Sequence, residues 1–238
     1  MDGAVLWHVG PLAITRTVAT TWGVMALLAV FSWLATRRLA IDPGPLQTVL
    51  EGIVSAIEDS VESLLPGRVA AVLPFVGTLW IYVALANLVG IVPGFASPTG
   101  DLSATAALAV LVFFSVHWFG IRSEGLRAYL RHYLKPNPLL LPFHVVSEIS
   151  RTVALAVRLF GNVTSLETAA LLVLLVAGFL APVPVLMLHV VEALVQAYIF
   201  GMLALVYISG SIQSRDEVAQ KRSGPADTNF EKGADAHE

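Results

Sequence analysis

Apolar stretches separated by short polar breaks organise this chain, and their lengths set what each can be. Residues 18–36 are apolar over about the length needed to cross ~30 Å of hydrocarbon at 1.5 Å per residue. Residues 69–92 and 102–121 repeat that pattern. Two further segments, 142–180 and 185–212, exceed what a perpendicular crossing needs, and excess length is taken up by tilting or kinking. Pro182 and Pro184 turn the chain between them, so they predict a long tilted helical hairpin. Segment 45–65, after the break at Pro43, Gly44 and Pro45, has a different period. Val49, Ile53, Ile57, Val61, Leu64 and Leu65 recur at helical spacing, while Glu51, Glu58, Asp59 and Glu62 fall elsewhere. That predicts an amphipathic helix lying on the membrane surface or against another helix. The expected fold is an all-α polytopic membrane protein with five membrane-embedded helices and one amphipathic surface helix. No internal repeat, strand pattern or second domain is visible. Residues 1–213 read as one membrane domain, and the polar, Ala-, Gly- and charge-rich stretch 214–238 as a disordered cytoplasmic tail.

Composition narrows the function classes. Only 13% of residues are charged, where a soluble domain carries about a quarter. The absence of cysteine excludes a disulfide, a thiol nucleophile and a thiolate metal site. No basic patch with interleaved aromatics is present, so nucleic acid is not an expected partner. The opening MDGAVLWHVGPLAITRT lacks a basic n-region and an AxA-type cleavage site, so no removable signal peptide is expected. Arg37 and Arg38 follow the first span, and Arg122, Arg127, Arg131 and Lys135 follow the third. The positive-inside rule puts both groups in the cytoplasm, with the N-terminus and residues 93–101 outside and the C-terminus inside.

The chemistry sits in the hairpin. Arg158 falls in the middle of VALAVRLFGNVTSLETAALLVLLV, where a fixed charge costs roughly 3 kcal/mol or more and marks a bundle interior, a wet cavity or a partner's charge. A buried arginine bonded to backbone carbonyls is the structural alternative. Asn162 follows Arg158 by four and shares its face. Glu167 follows by nine, on the opposite side and ~13 Å toward the outside. Glu148 lies ~15 Å from Arg158 toward the cytoplasm. An acid on either side of a central cation suits two separate aqueous pockets better than one pore. On the last helix His189, Glu192 and Gln196 form one stripe at i, i+3 and i+7. Histidine and glutamate can carry protons, and Gln196 can bond a guanidinium or carboxylate. Asn162 and Gln196 could also be plain helix–helix glue. His117 has no evident partner and reads as structural or interfacial, and Asp101 as a cap of the following helix.

RLFGN from Arg158, Glu167 nine places on, VQAYIFGMLALVYIS from Val195, PGPLQ and ANLVGIVPG together resemble subunit a of the bacterial F-type ATP synthases, over residues 18–213. The resemblance implies a non-catalytic stator subunit of the rotary membrane motor, in the bacterial inner membrane, beside a c-ring and the peripheral-stalk subunit b. It implies two offset half-channels for protons or sodium, with Arg158 facing the ring carboxylates and preventing an ion short-circuit. Asn162, Glu167, His189 and Gln196 would line the outer route and Glu148 the cytoplasmic one, while Glu192 is an ion-translocation candidate by its place in the His189–Gln196 stripe. No cofactor or metal is implied. A straight antiparallel hairpin turning at Pro182 would not put Gln196 opposite Arg158, so their proximity is expected to need tilt or stagger. A self-contained secondary transporter is the competing reading, but it predicts interrupted helices in two repeated halves, which the chain lacks. An intramembrane hydrolase would need a motif such as HExxH or GxSxG, which is absent.

Overall fold

The computed structural model describes residues 5–9, 12–37, 44–92, 97–125, 141–177 and 182–223. Among the described residues six α-helices make the body of the protein: α1 (Arg16–Thr36), α2 (Pro45–Leu64), α3 (Val69–Val89), α4 (Leu102–Glu124), α5 (Leu141–Ala177) and α6 (Pro182–Ser223). All but α2 are long and apolar enough to cross a membrane. The basic residues 126–135, the break at 136–140 and the tail beyond 223 lie outside the described residues.

Three features depart from the sequence expectation. First, Val5–Val9 and Leu12–Thr15 pair as antiparallel strands, with Val9 opposite Leu12 and Val5 opposite Thr15. These nine residues are rich in β-branched and aromatic types and flank Gly10-Pro11, a short-range hairpin signal eclipsed by the longer helical patterns. Second, α6 starts at Pro182, so neither Pro182 nor Pro184 interrupts it. Proline in a first helical turn removes an amide that has no intrahelical partner anyway. Third, α6 continues to Ser223, ten residues beyond the expected end of the membrane domain. That extension carries Arg, Glu, Ala, Gln and Lys, all good helix formers.

The core lies where α3, α4, α5 and α6 meet. On α3, Val72, Val76, Leu79 and Val83 form one buried stripe; on α6, Ala197, Phe200, Ala204 and Ile208 form another. Leu155, Leu159 and Val163 on α5, and Ala109, Val112 and Val116 on α4, complete it. The small residues matter because lipid is as good a partner for leucine as another leucine, so close backbone approach must drive association. A Cβ at Gly201 would lie 2.6 Å from the Trp80 ring, which shows how tightly α3 closes on α6 there. Against this core α2 buries only the later part of its apolar stripe, Ile57, Val61 and Leu65. Val49 and Ile53 stay exposed, as does the acidic face of Glu51, Glu58, Asp59 and Glu62. The first helix is more peripheral still, with Val24 its one buried residue.

Two caps start α1 and α4. The Thr15 side chain accepts from the Val18 amide at 3.4 Å and starts α1. Asp101 starts α4 by accepting from the Ser103 amide at 2.9 Å, and its second oxygen accepts from the Thr17 hydroxyl of α1 at 2.9 Å. Burial raises the Asp101 carboxyl's pKa, but the bonds from Ser103 and Thr17 outweigh it and hold the group below the ordinary carboxylate value. The stability these bonds give is therefore complete above the unfolded-state pKa and lost as pH falls through the lower folded value. Replacing Asp101 with Ala should cost about 1 kcal/mol and remove that acid-dependent component, read as a flattened melting-temperature profile below neutrality. A methyl group at Gly201 should cost about 1–3 kcal/mol by overpacking, read as earlier thermal unfolding. Trp80→Leu in the same chain should restore part of the loss.

Candidate functional site

The polar residues of the hairpin converge because the two long helices run antiparallel. Asn162 lies 15 residues before the end of α5 at Ala177, and Gln196 lies 14 after the start of α6 at Pro182. The two are therefore level, and the Asn162 side-chain amide donates to Gln196 Oε1 at 2.6 Å. No stagger is needed for this contact. Arg158 sits one turn further along α5, toward the level of Gly201, rather than opposite Gln196.

Gln196 and His189 are almost fully buried, at 2% and 3% exposure. Each keeps a nitrogen, Gln196 Nε2 and His189 Nε2, without a hydrogen-bond partner among the described residues. Both line a small cavity with Asn162, Glu192 and Asn87. Unpartnered buried nitrogens cost free energy in a dry interior, so this cavity is chemically suited to a polar guest. Glu192 is partly exposed at its edge.

Asn87 was not singled out as a site residue from the sequence, yet it organises this side of the cavity. It is fully buried on α3 and donates to the Ala193 carbonyl of α6 at 3.3 Å. Its own carbonyl accepts from the Thr99 hydroxyl at 2.6 Å. Ser97 donates to the Ala86 carbonyl at 2.9 Å and lies 2.6 Å from Thr99. One amide thus joins α3, α6 and the 3-10 turn at Pro98–Gly100. The signal was present, since an amide inside an otherwise apolar span has to find partners.

Glu167 lies beside this turn rather than in the cavity lining. Its carboxylate would stand 3.2 Å from a Cβ at Gly90 and 3.4 Å from one at Gly100. Two glycines and the Ser97 backbone therefore surround it closely. A side chain at position 90 would also meet Ser97 Cβ at 2.8 Å.

Arg158 differs from all of these. It is exposed, and it makes no hydrogen bond or ion pair with any described residue. The structural alternative of an arginine buried against carbonyls does not hold. Arg151, seven residues before Arg158 on α5, stacks over the Tyr207 ring at 5.5 Å. Glu148 stands apart from the cavity, beyond Arg158 along α5. It faces His117 of α4, with Nε2 to Oε2 at 3.7 Å. His117 therefore has the partner that the sequence did not disclose.

Replacing Asn87 with Leu should remove its hydrogen bonds with the Thr99 hydroxyl and the Ala193 carbonyl and cost about 1–3 kcal/mol. In a double-mutant cycle with Thr99→Val the two losses should be non-additive, measured by thermal unfolding in detergent.

Comparison with known proteins agrees with this architecture. The protein family described as ATP synthase A chain matches residues 18–209. ATP synthase subunit a 2 of Pelobacter propionicus is 67% identical over 209 residues, covering 88% of this chain and 92% of that protein. ATP synthase subunit a 1 of Hahella chejuensis is 59% identical over 210 residues, covering 88% and 89%. ATP synthase subunit a of Legionella pneumophila strain Paris is 54% identical over 218 residues, covering 91% and 95%.

Proposed function

The chain belongs to the ATP synthase subunit a family, and on that footing we propose that it is the stator of a rotary membrane motor, passing protons or sodium ions to and from a ring of c subunits. The observation that carries the reading is the contrast within α5. Asn162 is turned into the protein, bonded to Gln196 at a polar cavity. Arg158, one turn away on the same side of α5, is exposed and makes no hydrogen bond or ion pair with any described residue. A permanent cation exposed at membrane depth needs a negative partner outside the chain, and an ion-binding carboxylate on a neighbouring ring supplies one.

The chemistry follows from the charge. A ring carboxylate in lipid is stable only protonated or holding its ion. Beside Arg158 its ionised form is favoured, because an opposite charge nearby lowers a carboxylate pKa. Each ring site therefore empties as it reaches Arg158 and refills after passing it. Asn162, Gln196, His189 and Glu192 form the outer access route, with Glu167 above them beside the turn at Pro98–Gly100. Glu148 belongs to the cytoplasmic route. The two routes meet the ring on either side of Arg158, which keeps an ion from crossing without turning the ring. Moving one charge through 100 mV supplies ~2.3 kcal/mol, so several ions must pass per ATP. ATP itself is made by the soluble head of the complex. The N-terminus lies outside the bacterial inner membrane and the C-terminus inside, with subunit b holding the stator against rotation.

ATP-driven pumping by the assembled complex in vesicles tests this directly, with and without added sodium. Arg158→Ala should abolish coupled pumping while the complex still copurifies, and dependence on sodium would name the ion. Unchanged pumping in the assembled variant would overturn the proposal.

A further inference from the structure

We infer that His117 is a proton-relay residue, exchanging protons with Glu148 on the side of Arg158 opposite the His189 cavity. The inference rests on the translocation role proposed above and adds a residue to it.

The geometry gives the imidazole a defined polarity. His117 Nδ1 lies 2.8 Å from the Phe113 carbonyl of its own helix. A nitrogen so close to a carbonyl carries the hydrogen, so the neutral ring presents its lone pair at Nε2. Nε2 is the atom facing Glu148 Oε2, at 3.7 Å. The ring is further held by contact with Phe113, centroid to centroid 4.4 Å. Both side chains are about a quarter exposed, at 26% and 24%, although both residues stand on membrane-spanning helices.

On α5, His144 precedes Glu148 by one turn and Arg151 follows it by three residues, stacked on Tyr207 of α6. On α4, Arg122 lies five residues beyond His117. From α6, Ser211 donates to the Val116 carbonyl at 3.3 Å.

The transfer balances without any further reactant. A proton delivered to the Glu148 carboxylate makes the neutral acid. Its O–H bond breaks as an N–H bond forms at His117 Nε2, leaving carboxylate beside imidazolium. Water then takes the Nε2 proton and the neutral ring is restored; pumping runs the steps in reverse. At 3.7 Å the transfer needs one bridging water or closure by about an ångström.

A purely structural clasp between α4 and α5 would survive replacement of His117 by Gln, which stays polar but cannot titrate. The experiment compares initial rates of ATP-driven proton pumping by wild type, His117→Gln, Glu148→Gln, the double variant and Arg158→Ala, in assembled complex at several pH values. Relay action predicts that His117→Gln slows pumping about tenfold and that its rate changes less with pH than the wild-type rate does. It also predicts that the double variant is no slower than Glu148→Gln alone, since both residues serve one route. If His117→Gln does not assemble, His117→Asn is measured in its place with the same criteria. Wild-type rates in the substituted complex, or pumping of sodium alone, overturn the relay. Survival of pumping in Arg158→Ala overturns the underlying role as well, so the two failures are distinguishable.

Discussion

A polar side chain at membrane depth has no water to bond to, and that constraint arranges most of what matters in this protein. Leucine gains little by leaving lipid for another leucine. Helix packing is therefore decided by close contact at small residues and by polar groups that must find each other. Gly201 under Trp80 is the first kind of contact, and Asn87 on the Ala193 carbonyl is the second. Both lie between α3 and α6, so the same helix pair is fixed once by shape and once by hydrogen bonding. The Asn162–Gln196 bond does the equivalent for α5 and α6.

The same constraint separates residues that hold the fold from residues that are available for exchange. Asn87, Ser97 and Thr99 are buried and bonded to one another or to backbone. Gln196 and His189 are equally buried but keep nitrogens unbonded beside a cavity. Arg158 is exposed and bonded to no described residue. That gradation, from closed network to open cavity to bare charge, is the physical basis for the proposed path between water and ring.

Much of the architecture was legible in the sequence because segment length and period are strong signals. The long apolar runs and the amphipathic period of residues 45–65 correspond to the helices observed. The paired strands at Val5–Val9 and Leu12–Thr15 were not read, because two short segments carry little periodicity. Within the hairpin, spacing put Asn162 on the Arg158 side of α5 and put His189, Glu192 and Gln196 in one stripe. It could not show that Gln196 meets Asn162, because that depends on where two helices end and begin around residues 178–181. Nor could it pair His117 with Glu148, 31 positions apart, since no one-dimensional period links different helices. Asn87 was overlooked as a site residue because a single amide in an apolar span shows no pattern of its own.

The turn at Pro98–Gly100 has a mechanical consequence. Asp101 ties its end to α1 through Thr17, Thr99 ties it to Asn87 on α3, and Asn87 reaches on to α6. Three helices are thereby cross-braced at one edge of the bundle by short, stiff side chains. A stator transmits torque only as well as it resists shear, and any yielding between α3 and α6 would store ion-motive energy as elastic deformation instead of rotation. A loop that makes no step of the chemistry can in this way set how much of each ion's passage reaches the rotor.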